Sequence, residues 1–266
     1  LIQETIAVVH DFIKGQGLKL RPFRLSITGK LEKGGKKFGI GSSGSVTVLV
    51  VKALASFYQQ DWTADFIFKL ASYTLLKRGD NGSMGDLACI AYEDLVLYRA
   101  FDREQVRTWI AEEGLSQVLE RDWGYQIEPI EPALDFDFLV GWTGQPAISK
   151  EMIVPVKSAI GPDFLEPTQV AVEATARGLQ FGAKELIKSS LLEVSRLLKD
   201  LHPAIYTKEL LDLEAAVEGL DAIAKSSGSG GGDCGIALSF NPVHSQEIIE
   251  RWRKAGIELL FRQGSL

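Results

Sequence analysis

The sequence predicts an α+β protein with two domains that meet near residue 132. Apolar residues recur at helical spacing in some segments and alternate with polar residues in others, as in half-buried strands. Pro129 and Pro132 interrupt this mixed pattern, and a mainly helical region follows. With 266 residues, 45% of them hydrophobic, the chain can bury a substantial core. We expect an N-terminal domain over residues 1–132 and a C-terminal domain over residues 133–266.

The N-terminal half begins with a helix and a strand. Apolar residues at helical spacing predict a helix from Leu1 to Lys14, ended by glycines. Alternation over residues 23–31 predicts a half-buried strand, followed by a turn rich in glycine and lysine. After a second glycine-rich turn, the apolar residues 46–57 predict a central helix.

A capped helix and shorter elements complete the predicted N-terminal domain. Thr63 provides an N-cap for a helix that continues to Lys77, and the loop over residues 78–86 is rich in glycine and aspartate. The next pattern predicts a strand, a short amphipathic helix and an edge strand or connection. These lie at residues 95–101, 104–113 and 125–132.

The C-terminal half starts with a strand and is then mainly helical. Its pattern predicts a strand over residues 136–143, helices over 186–201 and 206–220, and a strand over 234–240 after a third glycine-rich stretch. A helix around Ile248 and Trp252 and a last strand over 257–261 follow.

Charge and cysteine content exclude several classes of function. The net charge of −6 and the pI of about 5.3 give no overall attraction to nucleic acid or to an anionic membrane. Cys89 and Cys234 are far apart and lack metal-ligand spacing, as expected in a reducing cytoplasm. No run approaches the roughly 18–20 apolar residues of a membrane span, and the first residues do not resemble a secretory signal. We therefore expect a cytoplasmic protein with no nucleic-acid or membrane partner.

The stretch KKFGIGSSGS poses the question of a cofactor. Gly39, Gly41 and Gly44 have the G-x-G-x-x-G spacing of a dinucleotide-binding turn. Such a turn needs a second strand that ends in an acidic residue about 20 residues later. Asp61 has that distance, but the residues after it predict a capped helix, which argues against a nicotinamide enzyme.

A phosphate group is a better candidate ligand for this turn than a dinucleotide cofactor. Unpaired N–H groups before a helix and the helix dipole attract an anion, and the lysines before the turn add positive charge. Serine hydroxyls within the turn are candidate ligands for Mg²⁺. A structural turn is the alternative for the motif as a whole.

Three glycine-bearing segments in this order resemble those of the GHMP kinase superfamily: residues 39–45, 78–86 and 225–233. Within it, the stretches KFGIGSSGSVTVLVVKAL, LLKRGDNGSMGDLACIAYEDLVLY, DFLVGWTGQPAISK and AKSSGSGGGDCGIALSF are similar to the bacterial phosphomevalonate kinases. The resemblance implies a ribosomal protein S5 domain 2-like N-terminal domain and a ferredoxin-like C-terminal domain. It further implies transfer of the ATP γ-phosphoryl group to mevalonate 5-phosphate, with Mg²⁺, in the mevalonate pathway of isoprenoid biosynthesis.

The resemblance also implies roles for individual residues. Asp86 and Lys37 are the expected catalytic residues. The loop Gly39, Ile40, Gly41, Ser42, Ser43, Gly44 and Ser45 is expected to bind the nucleotide, with Ser42 and Ser43 also near the metal. The expected acceptor ligands are Arg78, Ser83, Ser149, Ser227, Gly228, Ser229 and Gly230. Because a phosphate monoester is already mostly dianionic at neutral pH, Asp86 is expected to orient Mg²⁺ or a lysine and not to act as a base.

Two departures from the family pattern qualify these expectations. Relatives begin with a strand segment that carries an active-site lysine, and no matching segment precedes Leu1, so we expect the N-terminal domain to be incomplete at its start. A glutamate ligand of Mg²⁺ in related kinases has no counterpart near Leu75. The alternatives are another GHMP kinase that acts on a hydroxyl, such as mevalonate kinase, and a non-catalytic nucleotide-binding module.

Overall fold

The computed structural model describes residues 1–29, 32–145, 156, 158–228 and 230–264. The chain divides into two compact units. The first contains Leu1–Thr28 and Gly41–Ile130, and the second contains Gly29–Ile40 and Glu131–Leu266. Each unit combines helices with antiparallel strands, which confirms the α+β class. The two predicted domains, with their boundary at residue 132, stay a prediction. The second unit also contains residues 29–40, which precede that boundary in the chain.

The described residues form the following elements in chain order. The helices are α1 (Ile2–Gly15), α2 (Ser42–Phe57), α3 (Ala64–Lys77), α4 (Gly85–Tyr92), α5 (Arg103–Glu112), α6 (Leu115–Glu120), α7 (Pro162–Phe181), α8 (Lys184–Leu201), α9 (Lys208–Ala215) and α10 (Pro242–Lys254). The strands are β1 (Glu32–Lys33), β2 (Lys36–Lys37), β3 (Val96–Arg99), β4 (Gln126–Pro129), β5 (Asp137–Trp142), β6 (Ala222–Ser226), β7 (Cys234–Ser239) and β8 (Glu258–Gln263).

Helices α2 and α3 supply much of the core of the first unit. Val48 and Val51 of α2 and Phe68 and Leu70 of α3 are fully buried. Helix α2 is apolar nearly all round, and this is the pattern expected of a central helix. Thr63 caps α3 as predicted, because its Oγ1 accepts a hydrogen bond from the backbone N–H of Phe66 at 3.2 Å.

The strand predicted over residues 23–31 is wrong for the described part of that range. Residues 18–29 lie in no helix or strand, although Phe23 packs its ring against His10 and Phe57. An extended segment becomes a strand only when a neighbouring strand pairs with its backbone, and no described residue does so here. The first strand is instead β1, which forms a hairpin with β2 through Gly34 and Gly35, both at positive φ.

A four-stranded antiparallel sheet forms the frame of the second unit, in the order β6-β7-β5-β8. Leu139 of β5 and Ala237 of β7 meet Leu213, Ile248 and Trp252 of the covering helices in its core. The predicted strands β5, β7 and β8 and the helix at Ile248 are confirmed. The helix predicted over 206–220 is shorter and corresponds to α9. Strand β6 was not predicted, because its alanines give no alternation of apolar with polar residues.

Candidate active site

The start of α2 offers backbone N–H groups to a ligand. Gly41 is its N-cap in the left-handed conformation (φ 73°, ψ 38°) and no described side chain caps the helix. The first intrahelical bond is made by the N–H of Ser45, which donates to the Gly41 carbonyl at 2.9 Å. The N–H groups of the preceding residues, Ser42 to Gly44, therefore have no acceptor within the helix. With the helix dipole, they form an anion site.

Two of the three serines in this turn keep their hydroxyl groups available. The hydroxyl of Ser45 donates to the Gly41 carbonyl at 3.0 Å and so serves the helix itself. Within the described part of the chain, the hydroxyls of Ser42 and Ser43 have no hydrogen-bond partner. The predicted metal ligands are thus the hydroxyls that remain for a phosphate or a cation.

Asp86 lies against the start of α2. The sequence places it at the end of a loop, but the loop ends at Met84, and α4 begins at Gly85 with Asp86 in its first turn. A β-carbon on Gly44 would lie 2.3 Å from Oδ2 of Asp86, and one on Gly41 would lie 3.0 Å from the same atom. The absence of side chains at both glycines therefore lets the N-termini of α2 and α4 converge on this carboxylate.

The environment of Asp86 disfavours its charged form. Burial of the carboxyl raises its pKa, and the backbone N–H groups of Leu87 and of Asp86 itself oppose this shift less strongly. The residue nevertheless remains exposed to solvent. A cation placed beside the carboxylate would favour the ionised form again.

The loop before α4 carries the predicted acceptor ligands Arg78 and Ser83. The guanidinium of Arg78 forms an ion pair with Glu4 of α1. The hydroxyl of Ser83 accepts a hydrogen bond from the Gly85 N–H at 3.3 Å. Their roles in acceptor binding stay predictions. Sequence reasoning missed Tyr98 and Arg107, which hold this loop, because an amphipathic helix and a short strand give no signal for such contacts.

The three lysines before the phosphate loop have different surroundings within the second unit. The ammonium group of Lys33 donates to both carboxylate oxygens of Glu258, at 2.7 and 2.8 Å. That of Lys36 donates to the Gly144 carbonyl at 2.9 Å. Lys37 is exposed and has no side-chain partner among the described residues. Of the three, Lys37 is therefore the cation that remains for a phosphoryl group.

Gly39 of the phosphate loop packs against Asp233, also in the second unit. Gly39 is at φ 71°, and a β-carbon there would lie 2.0 Å from Oδ2 of Asp233. The backbone of Asp233 is held in turn, since the N–H and hydroxyl of Thr143 both donate to its carbonyl, at 2.8 and 2.9 Å. Ile40, the next loop residue, is 42% exposed. Sequence reasoning missed Asp233 because its partner is distant in the chain.

The C-terminal glycine-rich motif is a folded loop over its described residues. The N–H of Ser227 donates to the Cys234 carbonyl at 2.9 Å, and that of Gly231 donates to the Ile205 carbonyl at 2.7 Å. Gly228 and Gly230 have positive φ, and a β-carbon on Gly230 would lie 2.5 Å from Cγ2 of Ile205. These contacts argue against a flexible linker. Two further predicted acceptor ligands, Ser149 and Ser229, lie outside the described residues.

A buried lysine precedes this motif on β6. The ammonium group of Lys225 donates to the Ser226 carbonyl at 2.5 Å. Burial lowers the pKa of Lys225 to about 8, and Glu214 opposes this shift.

The described residues contain neither a helix that could span a membrane nor a cluster of metal-ligating side chains. No helix among them is long and apolar enough to cross a membrane. Nor do they contain a group of three or more histidine, cysteine, aspartate or glutamate side chains that could hold a metal ion.

Comparisons with known proteins agree in both halves of the chain. The family model for the GHMP kinases N terminal domain matches residues 1–94, and that for the GHMP kinases C terminal matches residues 183–258. A curated relative, phosphomevalonate kinase from Streptomyces sp. (strain CL190), is 32% identical over 270 residues, which cover 96% of this chain and 72% of the relative.

Solved structures extend the similarity to the whole chain. Streptococcus pneumoniae phosphomevalonate kinase in complex with phosphomevalonate and AMPPNP is 51% identical, with a TM-score of 0.95 over 100% of this chain and 80% of that chain. The Lin0012 protein of Listeria innocua is 32% identical, with a TM-score of 0.91 over 98% of this chain and 77% of that chain.

Proposed function

Because this chain belongs to the GHMP kinase family, we propose that it is a phosphomevalonate kinase, which transfers the γ-phosphoryl group of ATP to mevalonate 5-phosphate. The products are mevalonate 5-diphosphate and ADP. The two-domain GHMP kinase fold predicted from the sequence is confirmed by the family models and by the solved relatives. The bound phosphomevalonate and AMPPNP of the Streptococcus pneumoniae relative support both the acceptor and the nucleotide.

The observation that carries this proposal is the convergence of α2 and α4 on Asp86. Two helix N-termini direct backbone N–H groups and positive dipole potential to one place. Phosphoryl transfer is catalysed mainly by positioning and by neutralising charge on the transferred group. An anion site with a carboxylate in its centre meets both needs, because the carboxylate can orient the cation that accompanies the phosphates.

The acceptor supplies its own nucleophile. With a second pKa near 6, mevalonate 5-phosphate is mostly a dianion at neutral pH, so no general base is required. One of its phosphate oxygens bonds to the γ-phosphorus of ATP, and the bond from that phosphorus to the β,γ-bridging oxygen breaks. The electron pair leaves with ADP. Asp86 accordingly has a positioning task, and Lys37 neutralises charge on the phosphoryl oxygens.

The oxygen donors at this site fit Mg²⁺. The carboxylate of Asp86 and the hydroxyls of Ser42 and Ser43 are hard ligands, and Mg²⁺ is often held by one or two such groups plus phosphates and water. When bound, the ion neutralises charge shared by the β- and γ-phosphates. The first-turn N–H groups of α2 orient the phosphates. Ile40 and Ser45 complete the nucleotide loop.

The proposed acceptor ligands are those that the resemblance implies, and each group of them is described within its own unit. In the first unit they are Arg78, which Glu4 now pairs, and Ser83, whose position is defined by its bond to the Gly85 N–H. In the second unit they are Ser149 and the residues of the glycine motif, Ser227, Gly228, Ser229 and Gly230. The N–H groups of Ser227 and Gly231 are hydrogen-bonded within their own unit, so this loop is already folded before an acceptor binds.

A coupled assay of ADP release tests this function. Mevalonate 5-phosphate and mevalonate are offered separately with Mg²⁺ and ATP, and we expect turnover only with the phosphate. Turnover only with mevalonate would identify a kinase that acts on a hydroxyl. Thermal protection by Mg²⁺-ATP without turnover of either acceptor would favour a non-catalytic nucleotide-binding module.

A further inference from the structure

The aspartate loop, residues 78–84, is held by two side chains that do not belong to it. Nη2 of Arg107, on α5, donates to the Asp80 carbonyl at 2.6 Å and also to Oδ1 of Asn81. The hydroxyl of Tyr98, on β3, donates to the Ser83 carbonyl at 2.7 Å. The two side chains thus reach the loop on either side of Gly82, and all of these residues lie in the first unit.

The guanidinium of Arg107 is well suited to hold a backbone turn. Its other terminal nitrogen, Nη1, pairs with Glu104 one helical turn earlier, which fixes the orientation of the planar group. The side chain is 23% exposed, and its hydrogen bond to the Asp80 carbonyl is partly buried. A lysine ammonium is a point charge and cannot contact Asp80, Asn81 and Glu104 with the same planar geometry.

Tyr98 holds the end of the loop that leads into α4. Besides its bond to Ser83, its ring lies 3.3 Å from the place of a β-carbon on Gly85, so the phenol packs against the first residue of the helix. Burial raises the pKa of the phenol above its ordinary value, at which it is already protonated at neutral pH. Met84, between these two contacts, is buried and in the left-handed conformation. The direction in which α4 begins is therefore set by packing around Tyr98.

Hydrogen bonds within the loop link the residues held by Arg107 to those held by Tyr98. Oδ1 of Asp80 accepts a hydrogen bond from the Gly82 N–H at 2.7 Å, and the Ser83 hydroxyl accepts one from the Gly85 N–H. A shift of the Asp80 carbonyl would therefore be passed along the turn to Ser83 and then to Asp86. Misplacement of a reacting group by about 1 Å can cost on the order of 100-fold in rate.

We propose that Arg107 and Tyr98 are positioning residues for the acceptor. They hold the aspartate loop so that Ser83 and Asp86 face mevalonate 5-phosphate, and they contact neither substrate. This inference rests on the proposed function for its substrate, and on the hydrogen bonds of Arg107 and Tyr98 for its geometry.

Steady-state kinetics of Arg107→Gln and Arg107→Lys provide the first test. We expect KM for mevalonate 5-phosphate to rise about 10-fold or more in both variants, while KM for ATP stays within about twofold, since the α2 turn is untouched. Arg121→Gln is the matched control, because Arg121 also pairs with a glutamate, Glu113, and contacts an aromatic ring, but not the loop. Equal changes in both KM values, or none, would overturn the proposal.

Tyr98→Phe tests the second contact, and its control is Tyr125→Phe. Tyr125 donates a comparable hydrogen bond, at 2.6 Å to Asp65, away from the loop. We expect only Tyr98→Phe to raise KM for the acceptor. In the double variant Arg107→Gln/Tyr98→Phe, the change in the free energy of acceptor binding should be smaller than the sum of the two single changes, since both contacts hold one loop. Full additivity would contradict a shared role.

Amide hydrogen exchange separates this inference from the proposed function. In Arg107→Gln, the N–H groups of Gly82 and Gly85 should exchange faster than in the unsubstituted protein, whereas those of α3 should not change. This readout does not depend on turnover. A protein inactive with mevalonate 5-phosphate would refute the proposed function, whereas unchanged exchange in the loop would refute the positioning role.

Discussion

Gly39 and Asp233 are packed so closely that position 39 has no room for a side chain. A β-carbon on Gly39 would lie 2.0 Å from Oδ2 of Asp233 and 2.4 Å from its β-carbon. Both residues are at positive φ, and Thr143 holds the backbone of Asp233. The glycine of the predicted phosphate loop is therefore required by two conditions, its conformation and this contact.

Gly39→Ala should destabilise the protein and weaken nucleotide binding. The alanine must adopt a left-handed conformation, at a cost of about 1–2 kcal/mol, and must also displace Asp233. Gly35→Ala is the control, because Gly35 has φ 75° but open space around its missing side chain. Urea unfolding should show a larger loss for Gly39→Ala. Adding Asp233→Gly should restore part of it, and a double variant no better than the single one would show that the contact is unimportant.

Asp86→Asn should lower activity and raise stability. Turnover should fall by about 100-fold or more, because the charge that orients the cation is lost, while the affinity for ATP stays nearly unchanged. The pKa of Asp86 is raised in the folded state, so its ionisation opposes folding once the pH exceeds the ordinary pKa of an aspartate. The variant should therefore unfold at a higher urea concentration at pH 7, and the difference should shrink as pH falls toward 4. A large loss of ATP binding would contradict this role.

Lys37→Met should impair catalysis far more than Lys33→Met. Lys37 has no partner among the described residues, whereas Lys33 is paired with Glu258. If Lys37 neutralises the transferred phosphoryl group, we expect kcat to fall by about 10-fold or more in Lys37→Met and to change by less than about twofold in Lys33→Met. Initial rates at saturating ATP and acceptor provide the comparison. Similar losses in the two variants would point to a general effect of surface charge.

Lys225→Met should change the pH dependence of stability. Burial lowers the pKa of Lys225 to about 8, so between pH 8 and 10 the unfolded chain binds more protons here than the folded protein. This residue therefore makes the free energy of unfolding rise with pH over that window. In Lys225→Met that rise should be smaller, and the variant should be relatively most stable below pH 8. Urea titrations at several pH values measure the free energy of unfolding of both proteins. If its dependence on pH is the same in Lys225→Met and in the unsubstituted protein, a buried charge at Lys225 is refuted.

Local patterns predicted those elements whose signals lie close together in the chain. The apolar spacing of α1 and α2 and the cap at Thr63 depend on neighbours within a few residues, so the sequence contains the whole signal. The strand predicted over residues 23–31 failed because alternation does not specify a pairing partner. Asp86 was identified through a resemblance of its surrounding motif, and not from its own chemistry.

The sequence alone therefore determined the α+β class, the glycine-rich loops and the residue types able to bind a phosphate. Tertiary structure decided which groups within them are available. Lys33 bonds to Glu258 and Lys36 to the Gly144 carbonyl, whereas Lys37 has no described partner. Asp233 packs against Gly39. The reason is that a helix or a turn is specified by contacts over a few residues. A side chain's partner is specified by where distant segments pack, which no local pattern records.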